Sequence, residues 1–362
     1  MGDFDSDLSP EVASLKPADS SDPQSDAPAY PVLTLAPEIV SEIFLNFIPA
    51  YPDFPPTFGL HSPLLLCAIC RQWRAIAIAT PELWRAIQIS VSDGYTSYEA
   101  AAQLKLLKTW LSRSGSCPLS MDLSLPDTIE EIPRTAIDEE IVRTAVLHSE
   151  RWEYANLSIP LGHMGLLRVA NAMPLLRHLT FGFEDLIPSE PIILFDRAPR
   201  LKHVVLTPGF EKSFITLPWG QFTHLDAPFL DLGECAEILR DATNLVHCNF
   251  GICRTNDPIL VLIPTIPIQP HLRHLDLRYS DEHYYPDPSF NLSGLFHNLT
   301  LPGLITLRVY EPGITLESLG EFISRSQCTL RELRVDISSR ISESAYREAL
   351  PSVKAIILEP QK

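Results

Sequence analysis

Glycine is sparse in this chain, and positive charge is outweighed by negative. The 362 residues hold 15 glycines against 33 prolines, and 28 lysines and arginines against 45 aspartates and glutamates, for a formal net charge of −17. Prolines at twice the number of glycines predict short elements separated by turns and rigid connections. The negative balance argues against a nucleic-acid partner, whose phosphates it would repel. No apolar run reaches the length of a membrane span. The most apolar stretches, "PLLLCAIC" and "PILVLIPTIPI", are short or broken by proline. The start "MGDFDSDLSP" lacks the basic-then-apolar order of a secretory signal, and the acidic neighbours of Gly2 speak against myristoylation.

Paired cysteines are missing as well. The seven are widely spaced, which predicts reduced thiols in a cytoplasmic or nuclear protein. The single C-x-x-C, Cys67 to Cys70, has no second pair to complete a zinc site, so it is read as two small buried side chains within a helix. The nucleophile elbow, the phosphate loop, the dinucleotide fingerprint and H-E-x-x-H are all absent. His247 and Cys248 are neighbours on a predicted strand, where they point to opposite faces and cannot act as a base–nucleophile pair. No enzyme, cofactor or metal is expected.

What is present divides the chain. Residues 1–32 carry seven acidic side chains and one lysine, a composition that predicts a disordered acidic tail. In "LAPEIVSEIFLNFI", Pro37 occupies a first helical position beside Glu38, and Ile39, Val40, Ile43, Phe44, Phe47 and Ile48 recur at helical spacing. Ser62-Pro63 opens a second helix that reads as continuous through Ile69, Cys70, Trp73 and Ile76, apolar over most of its circumference. Thr80-Pro81 starts a turn carrying Leu83 and Trp84. About three helices in some 55 residues are marginal without a staple or a covering partner. The excess apolar surface is therefore expected to be an interface.

The same residues resemble the F-box family. Pro37, Glu38, Ile39, Ile43, Phe44, Cys70, Arg71, Trp73, Pro81, Leu83 and Trp84 match its pattern in order, with Ala36 and Ile69 as mild departures and a longer loop from Pro49 to His61. The resemblance covers about 55 residues (33–88). It implies a three-helix bundle that docks on a Skp-type adaptor of a cullin ubiquitin ligase. The residues expected at that contact are Leu35, Pro37, Glu38, Ile39, Ile43, Phe44, Ile69, Cys70 and Trp73, with Trp73 and Trp84 also holding the bundle together.

Beyond a connecting helix at 89–116, residues 117–362 repeat. Eight segments share the form apolar-x-x-apolar-x-apolar: "LRHLTF", "LKHVVL", "FTHLDA", "LVHCNF", "LRHLDL", "LITLRV", "LRELRV" and "VKAIIL", beginning at Leu176, Leu201, Phe222, Leu245, Leu272, Leu304, Leu330 and Val353. A degenerate copy, "WEYANL", starts at Trp152. The mean spacing of about 25 residues lies in the leucine-rich-repeat range. The expected fold class is α/β: the small helical bundle followed by an irregular leucine-rich-repeat-like solenoid with a parallel sheet.

Five histidines, His178, His203, His224, His247 and His274, occupy the third position of consecutive segments, where composition alone would put about 0.3 in nine such slots. On strands they would face away from the core as a ladder. One interpretation is that histidine merely suits a half-exposed strand. The other is that the ladder, with Asp226, Asn249 and Asp276 two positions on, contacts a protein substrate, with stacked imidazoles that stay mostly neutral at pH 7. The function expected is substrate recognition for a Skp–cullin–F-box ligase. The alternative is a repeat scaffold outside any ligase.

Overall fold

Every one of the eight repeated segments becomes a strand, and each strand begins at the segment's third residue. The computed structural model describes residues 34–91, 95–125, 132–168, 172–182, 192–208, 210–253, 265–279, 291–337 and 341–360. The tail expected at 1–32 lies outside them. The strands are β1 (Ala86–Ser90), β2 (Leu119–Ser124), β3 (Trp152–Ser158), β4 (His178–Gly182), β5 (Ile192–Ile193), β6 (His203–Leu206) and β7 (Ile215–Thr216). They continue as β8 (His224–Leu230), β9 (His247–Ile252), β10 (His274–Tyr279), β11 (Thr306–Tyr310), β12 (Glu332–Ile337) and β13 (Ala355–Pro360).

Eleven of them form one sheet, β1-β2-β3-β4-β6-β8-β9-β10-β11-β12-β13, with every pairing parallel. The two-residue β5 and β7 pair with each other. The protein is thus α/β with a large parallel sheet, as expected from the sequence. Spatial order follows chain order because each strand returns only as far as its immediate neighbour.

Alternation explains the burial. In β4, β9 and β10 the third-position histidine is half-buried, while the next residue and the one two beyond it are buried: Leu179 and Phe181, Cys248 and Phe250, Leu275 and Leu277. This face packs on α4 (Ser97–Arg113), α7 (Leu232–Asp241) and α10 (Glu343–Ala349), among others. The remaining helices are α1 (Pro37–Phe47), α2 (Pro63–Ile69), α3 (Arg71–Ile78), α5 (Ile132–Val146), α6 (Gly165–Arg168), α8 (Ser293–Asn298) and α9 (Leu316–Ser326). One hydrophobic core runs through the molecule from Val40 to Ile356.

Two boundaries differ from expectation. The helix read as continuous across Ile69 and Cys70 is broken there. Cys70 is extended (φ −153°, ψ 169°), and its Sγ accepts the Trp73 backbone N–H at 3.4 Å, so it caps α3 rather than sitting inside one helix. The expected domain edge at 88/89 falls within β1. β1 crosses it and pairs in register with β2 from Ala86↔Ser120 to Ser90↔Ser124. The 89–116 "connection" contains α4, which links these two neighbouring strands and buries Leu107, Trp110 and Leu111. Its start is a capping box between Thr96 and Glu99, and its C-cap Ser114 is followed by Gly115 at φ +53°. The sheet therefore starts at Ala86.

Trp84 and Trp110 join the first three helices to the sheet. Their rings meet edge to face at 4.8 Å, Trp84 Nε1 donates to the Ala77 carbonyl at 2.8 Å, and Trp110 Nε1 donates to the Ala86 carbonyl at 3.2 Å.

Candidate functional site

The open face of the sheet carries a file of rings. Parallel pairing places Tyr154, His178, His203, His224, His247, His274 and Thr306 side by side. The four successive imidazole pairs stack with centroids 4.3, 4.0, 4.4 and 4.1 Å apart and planes within 23° of parallel. Tyr154 stacks on His178 at 4.7 Å, and at the other end His274 Nδ1 lies 2.6 Å from Thr306 Oγ1. In-register repetition of one side chain across parallel strands brings such rings to the strand spacing. The ladder expected for the five histidines is therefore present.

Asp226, Asn249 and Asp276 form the second row, with Asn249 Nδ2 donating to Asp226 Oδ1 at 2.8 Å. Both rows line a groove of about 620 Å³ that extends to Arg308, Glu332 and Arg334. A smaller recess of about 230 Å³ adjoins it, sharing His178, His203 and Val205 and walled by Pro52, Asp53 and Phe54.

That wall was not legible in the sequence. It belongs to the long loop between α1 and α2. Tyr51 anchors the loop: its hydroxyl donates to Glu153 at 3.2 Å, its ring meets Tyr154 edge to face at 5.6 Å, and the Arg85 guanidinium lies 3.9 Å over it. Burial, then Glu153, pushes the Tyr51 phenol well up, which keeps it a donor. Tyr154 did carry a signal, since it is the third residue of the degenerate copy "WEYANL". At the far end Arg308 bridges Asp336 (2.7 Å) and Glu359 (2.9 Å), an ion network that spacing alone does not reveal.

Partial burial holds His178, His203, His224 and His247 below the ordinary imidazole range. Nearby positive groups add to this: Arg177 for His178, and neighbouring imidazoles for the other three. The unfolded chain takes up protons on these imidazoles near about 6.5, the stacked rings only further down. In that interval the unfolded state binds more protons, so stability is full above it and falls as pH drops through it. The thermal midpoint is expected to be lower at pH 5.5 than at pH 7.5, and the drop should shrink when His203, His224 and His247 are all replaced by asparagine. Scanning calorimetry on both chains decides it; equal drops would take the histidines out of the account.

The first helices present a second surface. Ile39 (52% exposed), Ile43 (45%) and Ile69 (53%) project outward, as do Leu65 and Ile78. Pro37 and Glu38 are exposed, and Leu35 and Trp73 are half-buried. Phe44 corrects the expectation. It is fully buried and meets Trp73 edge to face at 5.0 Å, so it holds the helices from inside. Cys70, half-buried and engaged in its cap, is likewise a support for that surface rather than its centre.

Among the described residues no cluster of three or more histidine, cysteine or acidic side chains is arranged to hold a metal ion, and no helix is long and apolar enough to cross a membrane. No protein-family model matches the chain, and no curated protein matches it significantly.

Proposed function

We propose that the protein is a substrate-recognition subunit of a Skp–cullin–F-box type ubiquitin ligase, working in the cytoplasm or nucleus. Helices α1–α3 with the Pro81–Trp84 turn act as the F-box bundle that binds a Skp-type adaptor. The strands from Ala86 onward act as a leucine-rich-repeat-type solenoid whose open face captures a protein substrate. Its contribution is positional, raising the effective concentration of substrate beside machinery supplied by other subunits.

The observation that carries this is where the apolar surface lies. Of the twelve large apolar side chains exposed among the described residues, seven fall between Ile39 and Ile78: Ile39, Ile43, Phe58, Leu60, Leu65, Ile69 and Ile78. A surface so unevenly apolar points to a partner, and it includes Ile39 and Ile43 of the F-box pattern and the variant position Ile69.

The test is co-expression with a Skp-type adaptor, followed by size-exclusion chromatography. A stoichiometric complex is expected. A chain that elutes alone would instead be a repeat scaffold outside any ligase. Deleting 33–88 is a poor control, because it removes most of β1 from the sheet; point variants on α1 avoid this. For the substrate face, replacing His203, His224 and His247 together by alanine should weaken substrate capture in a pull-down by roughly thirtyfold or more, about the loss of one interaction hot spot. Adaptor binding should be unchanged. Full recovery by the folded triple variant would move capture away from the ladder.

A further inference from the structure

Charges in the groove are unequally satisfied. Arg308 is held by Asp336 and Glu359, Arg334 by Glu332 and Glu359, and Asp276 by Arg278 at 3.3 Å. Asp226 differs. It accepts one hydrogen bond, from Asn249, and among the described residues no cation lies within ion-pair distance of it. It is half-buried in the middle of the groove.

Its surroundings narrow the chemistry. Directly across the β6–β8 pair stands Val205, 39% exposed, an apolar side chain in a row that is otherwise polar from Thr180 to Arg334. Beside both run His203 and His224, whose ring faces are covered by stacking, so that their edges and not their π-faces remain for a ligand. His224 Nδ1 lies 2.9 Å from Thr223 Oγ1, which leaves Nε2 available. An uncompensated carboxylate, an apolar shelf and imidazole nitrogens that accept hydrogen bonds while neutral together suit a long aliphatic side chain ending in a cation. The chain's −17 charge favours the approach of such a partner over long range.

We propose that the centre of the groove takes a lysine or arginine side chain from an extended segment of the captured protein, with its stem on Val205 and its cation on Asp226. This rests on the open face being the capture surface.

The experiment uses labelled heptapeptides of alternating threonine and alanine that carry one central lysine, arginine, norleucine or glutamate. Each is titrated against the full-length protein by fluorescence anisotropy at roughly 0.15 M salt. The lysine and arginine peptides should bind about fivefold tighter than norleucine, the size of one partly screened ion pair, and glutamate should bind weakest. Asp226→Asn, with its thermal midpoint retained, should erase the preference, and Glu343→Gln on α10 should keep it.

Equal binding of all four peptides, no binding of any, or a preference that survives Asp226→Asn overturns the assignment. The two levels separate through the histidines. If charge makes no difference but all four peptides lose affinity when His203, His224 and His247 become alanine, the capture face stands and the cation assignment falls. If the peptides bind and respond to neither change, both fall.

Discussion

Ile39→Lys is expected to lower adaptor affinity at least ~100-fold, about 2.7 kcal/mol or more, while leaving the thermal midpoint of the free protein within a degree or two. The asymmetry comes from position. Ile39 lies on the outer side of α1 and is 52% exposed, whereas Val40 and Phe44 carry the packing. In the free chain the lysine head stays in water and its stem lies along the helix, so little is lost. In the complex the ammonium would be buried without a counterion, which costs several kcal/mol. Ile43→Lys, one turn on, should act alike, and Leu147→Lys, an exposed apolar residue beyond α5 (68%), should not. Adaptor affinity by surface plasmon resonance, with calorimetry of the free variants, reads both quantities. Undiminished binding by Ile39→Lys would place the adaptor contact elsewhere or dismiss it.

Trp84→Ala is expected to cost about 3–5 kcal/mol of stability, the range for truncating a large buried aromatic. The side chain is fully buried. Its loss empties the space against Trp110, leaves the Ala77 carbonyl without its donor, and removes the ring over which the Arg113 guanidinium lies at 4.4 Å. Trp84→Phe keeps some of the packing but not the N–H, so it should fall between wild type and alanine. Guanidinium titration followed by far-ultraviolet circular dichroism measures this. A loss below about 1 kcal/mol for alanine would mean that the helices are not joined to the sheet through this contact. Ile39→Lys and Trp84→Ala thus separate recognition from architecture within one 55-residue stretch.

Features with a strong local period were legible in the sequence. Apolar-x-x-apolar-x-apolar located every strand from β3 onward except the two-residue pair, because a half-buried parallel strand must alternate and its anchors must recur. The histidine file followed from the same register. Pro37 and Ser62-Pro63 marked helix starts because proline suits a position whose N–H has no helical partner.

Features that depend on tertiary contact stayed hidden. β1 is five residues long and follows Trp84 almost at once, so its "AIQIS" resembled the end of the helical region until β2 paired with it. The break at Cys70 depends on a sulfur accepting a backbone N–H, a cap that composition does not announce. Phe44 shared a helical period with Ile39 and Ile43, yet it turns inward because Trp73 of α3 lies beneath it. The loop from Tyr51 to Phe54 reaches the groove through Glu153 and Tyr154, about a hundred positions away, a contact no short-range pattern contains.

Strand order that follows chain order also sets how the molecule would respond to force. Among the described residues β13 pairs only with β12, which in turn pairs with β11, so β13 lies at one edge of the sheet. A pull on the C-terminus against a held N-terminus loads one strand pair at a time, as a zipper is opened, rather than shearing the whole sheet at once. Releasing β13 and the segment before it frees the chain only back to the end of β12, from Ile337 to Pro360, or roughly 80 Å of contour at about 3.5 Å per residue. Extension of this protein should therefore proceed as a series of low, unequal steps. An unfoldase engaging that end would meet resistance in instalments, with the tryptophan-locked region around Trp84 and Trp110 the last to yield.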